Sequence, residues 1–123
     1  MRHIEAIAIG LAVLLGSPAA HAQDAVAGKT VFQSQCAICH SPVAGKNGVG
    51  PSLFGIVGRT AGQVPNFHYS AANKASAEVW SADVLDKYLL APRDVVPGTI
   101  MTYAGLKDAG KRADLIAYLG SLH

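Results

Sequence analysis

Apolar side chains keep a helical period in only a few short stretches, and long runs between them keep none. In 109–122, Leu115, Ile116, Tyr118, Leu119 and Leu122 line a single face, as an amphipathic helix requires. Val84, Leu85, Tyr88 and Leu89 repeat that spacing behind Ser81-Ala82-Asp83, which reads as an N-cap region. Pro92 ends that helix or opens the next short turn. Residues 24–35 form a shorter candidate, with Phe32 as the bulky apolar residue and Gly28 one turn earlier. The intervening 45–62 is Gly-rich and contains Pro51, 65–74 reads as more loop, and Pro97-Gly98 signals a turn. No run alternates as a strand does. The pattern predicts a small all-α domain of short helices and long Gly/Pro loops.

The first residues follow a different plan. Arg2 and His3 precede an uncharged apolar run, 6–16, which Ser17-Pro18 breaks before Ala20-His21-Ala22. That is the layout of a secretory signal peptide with an A-x-A cleavage site. The run is short for a membrane span. The expectation is a cleaved leader over 1–22 and one domain over 23–123, with retention of the leader as an anchor the alternative. Losing Arg2 and Glu5 leaves the formal net charge at +2. No basic run suggests nucleic-acid binding.

Cys36-Ala37-Ile38-Cys39-His40 carries the chemistry. Two thiols at this spacing, followed by an imidazole, form a c-type haem attachment site. A disulfide suits an exported chain, and a C-x-x-C pair also serves as a redox dithiol. Neither employs His40, and a dithiol oxidoreductase would need a βαβ pattern. Zinc would require a second pair of ligands. Haem also accounts for the loops. Long loops are unusual in a compact domain, but they can wrap a large apolar cofactor. The chain without haem is expected to be largely unfolded.

His40 would ligate the iron from one face, and the other face needs a candidate. With the leader gone, Met101 is the sole methionine, and His68 and His123 are the spare histidines. His123 is C-terminal, where fraying is common, and His68 sits in a polar loop. Met101 follows the Pro97-Gly98 turn, which can hold a side chain against a flat ring. A methionine filling a gap in the core is the competing reading.

The motifs run in order along nearly the whole chain after the leader. Gly28-Lys29 with Phe32 comes first, then the CxxCH segment, Gly50-Pro51-x-Leu53, Gly58-Arg59 and Asn66-Phe67-x-Tyr69-Ser70. Asn73-Lys74, Trp80, Tyr88-Leu89 and Pro97-Gly98-Thr99-x-Met101 follow. Gly105-Leu106-Lys107 and Arg112-x-Asp114-Leu115-Ile116-x-Tyr118-Leu119 complete the series. The chain resembles the class I cytochromes c of mitochondria and bacteria. The resemblance implies a cytochrome c fold around one haem c per chain, bonded to Cys36 and Cys39. It implies iron ligation by His40 and Met101, with the Pro51 carbonyl bonded to the other ring nitrogen of His40 and Tyr88 near the sulfur. It makes Arg59, Tyr69, Ser70, Asn73, Trp80 and Thr99 the surroundings of a buried propionate. Gly28 and Phe32 would pack against Leu115 and Tyr118 where the first and last helices cross.

A closed His/Met site implies a one-electron carrier, not an enzyme, and with the leader and the resemblance the expectation is a soluble monomer of a Gram-negative periplasm with no membrane insertion. Its partners would be a membrane quinol-oxidising complex, a terminal oxidase, a reaction centre or a periplasmic dehydrogenase or reductase. Displacement of Met101 would instead make a haem-based sensor or peroxidase-like protein. A thiol-disulfide oxidoreductase would carry no haem. The chain departs from mitochondrial relatives at the haem edge. Lysines are replaced by Gln35, Asp94, Ile100, Asp108 and Ala109, with Arg93 and Lys107 remaining.

Overall fold

The computed structural model describes residues 23–123. The expected leader lies outside them. Five helices follow in order: α1 (Ala25–Gln35), α2 (Ala71–Ala75), α3 (Ala82–Leu90), α4 (Pro92–Val95) and α5 (Ala109–Gly120). Among the described residues the only β pairing is an isolated antiparallel bridge between Thr60 and Val79. No described helix is long and apolar enough to cross a membrane.

Short polar side chains start the helices by accepting otherwise unpaired N–H groups. Asp24 takes the amides of Val26 and Ala27 at 2.8 and 3.1 Å. Ser81 takes Val84 N–H at 3.2 Å, and Asp108 takes Lys111 N–H at 2.9 Å. Pro92 opens α4, where its missing N–H costs nothing. Three boundaries differ from the sequence expectation. Asp24 caps α1 from outside it, and α5 stops at Gly120, after which Leu122 N–H turns back to Leu119 O at 3.1 Å. The expected loop over 65–74 contains α2, nucleated by Ser70, whose hydroxyl accepts Asn73 N–H at 3.2 Å. A helix this short shows no apolar period to read.

The core runs along the crossing of α1 and α5 and continues onto α3. Phe32 meets Tyr118 with ring centroids 5.4 Å apart, and Leu115 is fully buried between the helices. Asp114, also buried, accepts Asp24 N–H at 2.9 Å and ties the two ends of the fold together. The approach is close because position 28 has no side chain. A Cβ there would strike the Asp114 carbonyl oxygen and lie 2.9 Å from Tyr118 Cβ. Gly28→Ala is therefore expected to cost about 3 kcal/mol through overpacking against backbone. The check is the denaturation midpoint of the holoprotein, and an unchanged midpoint would contradict the crossing.

Candidate functional site: the cysteine turn and the loop of Met101

Helix α1 delivers the cysteine motif. In its last turn, Phe32 O accepts both Cys36 N–H at 2.8 Å and Ala37 N–H at 3.0 Å. The chain then tightens, with Cys39 and His40 amides both bonded to Cys36 O at 3.0 and 2.9 Å. This turn brings Cys36, Cys39 and His40 onto one short segment. The two cysteines form no disulfide with each other and both are partly buried. Burial, and secondarily the neighbouring Cys39, pushes the Cys36 thiol up to about 11.

The loop 41–53 folds back over His40. Gly50 N–H bonds Cys39 O at 2.8 Å, and Leu53 N–H bonds Ser41 O at 2.9 Å. Ser52, buried, donates to Val43 O at 2.6 Å. Asn47 receives Ser52 N–H at 2.9 Å and donates to Pro65 O at 3.0 Å. Sequence reasoning missed Asn47, because a polar residue in a Gly-rich loop carries no periodic signal. A Cβ at Gly50 would collide with the His40 ring, lying 2.8 Å from Nε2. His40 Nδ1 lies 2.7 Å from Pro51 O. A carbonyl can only accept, so Nδ1 carries the proton and Nε2 presents its lone pair. Burial lowers the His40 pKa, against the opposing effect of the Pro51 bond, and favours the neutral ring.

Met101 is half-buried in the loop after α4. Val96 is buried at the root of that loop, and Thr99 N–H bonds Val96 O at 3.1 Å across the Pro97-Gly98 turn. Met101 N–H bonds the Thr99 hydroxyl at 3.2 Å, and Tyr88 donates its hydroxyl to Met101 Sδ at 3.6 Å. Burial raises the Tyr88 pKa, against a hydrogen bond with Thr99, and keeps that donor protonated. Tyr88 also stacks obliquely on buried Trp80, with centroids 4.6 Å apart. Trp80 N–H bonds Arg59 O at 2.9 Å. Arg59 in turn faces Tyr69 electrostatically, and Tyr69 accepts Val64 N–H at 3.0 Å. Contacts thus link the Arg59 backbone, Trp80, Tyr88, Thr99 and Met101, and the charge of Arg59 reaches Tyr69. Ser70 and Asn73 start α2 beside Tyr69. His68 is exposed, and His123 lies 3.1 Å from Gly120 O, so neither is drawn into the core.

These residues fit a covalently attached haem. Two cysteines share one turn with an imidazole that has a bare Nε2, which is the donor set such a group requires. The comparisons agree. The cytochrome c family profile matches residues 25–123. Cytochrome c2 of Rhodopila globiformis is 52% identical over 99 residues, covering 80% of this chain and 93% of that protein. Cytochrome c2 of Blastochloris viridis is 48% identical over 115 residues, covering 92% and 90%. Cytochrome cH from Methylobacterium extorquens superposes with a TM-score of 0.75 at 41% identity, covering 80% of this chain and 98% of that one. With the helical fold, the cysteine turn and these relatives in agreement, the chain belongs to the class I cytochromes c, electron-transfer proteins with covalently attached haem c.

Proposed function

We propose that this protein is a soluble one-electron carrier whose haem is bonded to Cys36 and Cys39 and ligated by His40 and Met101. The observation that carries this reading is the tautomer of His40, fixed by the 2.7 Å contact of Nδ1 with Pro51 O, which leaves Nε2 available. The bond orients the ring and raises its basicity. In the ferric holoprotein an iron–sulfur charge-transfer absorption is expected, and haem should stay with the chain after denaturation. An absent band overturns the His/Met assignment, and released haem overturns the attachment.

Bound haem supplies reversible exchange of one electron between ferric and ferrous iron. The protein's part is to hold that exchange to a small rearrangement. His40 keeps its proton on Nδ1 and offers Nε2. Met101 offers a soft thioether, which favours the ferrous state. The Tyr88 hydroxyl draws electron density from that sulfur and reinforces the preference. Tyr88→Phe keeps the ring against Trp80 and removes only the donor. It is expected to lower the potential by roughly 20–65 mV, the one-electron equivalent of one net hydrogen bond. Protein-film voltammetry checks this, and a rise or no change contradicts it. Arg59, with Tyr69, Ser70, Asn73, Trp80 and Thr99, supplies the charge and donors that a buried propionate needs.

Electrons would enter and leave beside the cysteine turn and the Met101 loop. Ile38 and Ile100 stand 89% and 67% exposed there. The residues expected around that edge, Gln35, Arg93, Asp94, Lys107, Asp108 and Ala109, are all exposed, and their charges cancel. Docking would rely on short-range apolar contact rather than long-range steering. Turnover with a membrane quinol-oxidising complex, terminal oxidase, reaction centre or periplasmic dehydrogenase or reductase should therefore depend only shallowly on ionic strength. A steep fall in rate with added salt contradicts this. The bacterial cytochrome c2 relatives and the leader pattern of 1–22 support export to a periplasm.

A further inference from the structure

The segment just downstream of Met101 is fastened to two helices by the side chains of Arg112 and Lys107. At the end of α3, Leu89 O accepts Leu106 N–H at 2.7 Å, and Leu90 O accepts the Lys107 ammonium at 2.8 Å. From α5, Arg112 Nη1 donates to Leu106 O and Lys107 O, both at 3.0 Å. Its Nε donates to Asp86 Oδ1 of α3 at 2.8 Å. The Arg112 side chain is only 8% exposed, whereas that of Asp86 is 49% exposed. Burying a guanidinium is costly unless its donors are used. Here two donor bonds go to consecutive carbonyls of one loop, five and six residues beyond Met101. By contrast Ile100 and Thr102, which flank Met101, are exposed.

We propose that Arg112 and Lys107 are positioning residues that lock 106–107 onto α3 and α5, and that this lock sets how readily Met101 is displaced from the iron. The inference rests on the reading of Met101 as the sixth ligand. An outside ligand must wait for the loop to open, so its apparent affinity scales with the open fraction. Removing one charged donor from the lock raises that fraction.

The test uses the ferric holoprotein and imidazole as the competing ligand, followed by loss of the iron–sulfur band. Lys107→Met keeps the exposed aliphatic stem and removes only the ammonium. It is expected to bind imidazole about three- to tenfold more tightly, with the band intact before imidazole is added. Lys107→Arg should restore the parental affinity. Arg112→Lys should exceed the effect of Lys107→Met if it folds. Asp24→Ala removes the α1 cap and lowers overall stability, yet should leave imidazole affinity within about twofold. Parental affinity in Lys107→Met, or an equal gain in Asp24→Ala, overturns the lock while leaving the ligand assignment standing. A parent protein without the iron–sulfur band overturns the assignment itself, and the lock with it.

Discussion

A chain carrying Cys36→Ala and Cys39→Ala, isolated without haem, is expected to lose most of its far-UV helical signal and its cooperative melt. The reason lies in what the chain packs against itself. Between α1 and α2 there is neither helix nor strand, only turns and Thr60, which forms a single bridge with Val79 beyond α2. Ordering each residue costs about 1–2 kcal/mol of backbone entropy. Against that, this long segment brings few buried apolar side chains, chiefly Ile56, Ala61 and Val64. The buried residues concentrate at α1, α3 and α5, and a small domain with a thin core needs a further source of stability. A covalently held apolar macrocycle supplies it. Helices α1 and α5 could retain a fluctuating pairing, so the sharper measurement is the melt. A haem-free chain with holoprotein-like ellipticity and a single sharp transition would show that the loops do not need the cofactor.

Met101→Ala should change the electronic state of the site strongly while leaving the fold standing. It removes the only thioether among the described residues. The iron–sulfur absorption should vanish, small outside ligands should bind without waiting for a loop to open, and the potential should fall. The fall should be on the order of a few tenths of a volt, within the span that axial ligands control. The fold should persist, because the core at the α1–α5 crossing does not include Met101. Spectra and voltammetry of the same sample separate the outcomes. Retention of the band would place another group on the iron. Loss of the band with an unchanged potential would mean that the thioether does not tune it.

What could be read from the chain followed from local rules. The apolar faces of α3 and α5 repeat at helical spacing, and Ser81 is a short polar side chain where a cap belongs. The cysteine turn is a contiguous motif, so its chemistry needs no tertiary information. The missed features all depend on distant partners. Arg112 looked like a charge on a motif, yet it is buried against carbonyls of the Met101 loop. Asp114 follows two residues later, but its structural role is set by Asp24 at the other end of the fold. Asn47 braces two loops whose proximity no period announces. Helix α2 escaped because one capping serine and a few alanines leave too little pattern.

The glycine contact between the first and last helices has a mechanical consequence. Gly28 sits eight residues before Cys36, so at 1.5 Å per residue the crossing lies about 12 Å along the helix from the cysteine turn. Helix α1 is then a lever whose fulcrum is that contact and whose tip leads into the turn proposed to hold the haem. A tilt of about ten degrees at the fulcrum would carry the tip roughly 2 Å. The angle at which the two helices meet is therefore also a setting for where the cysteine turn lies.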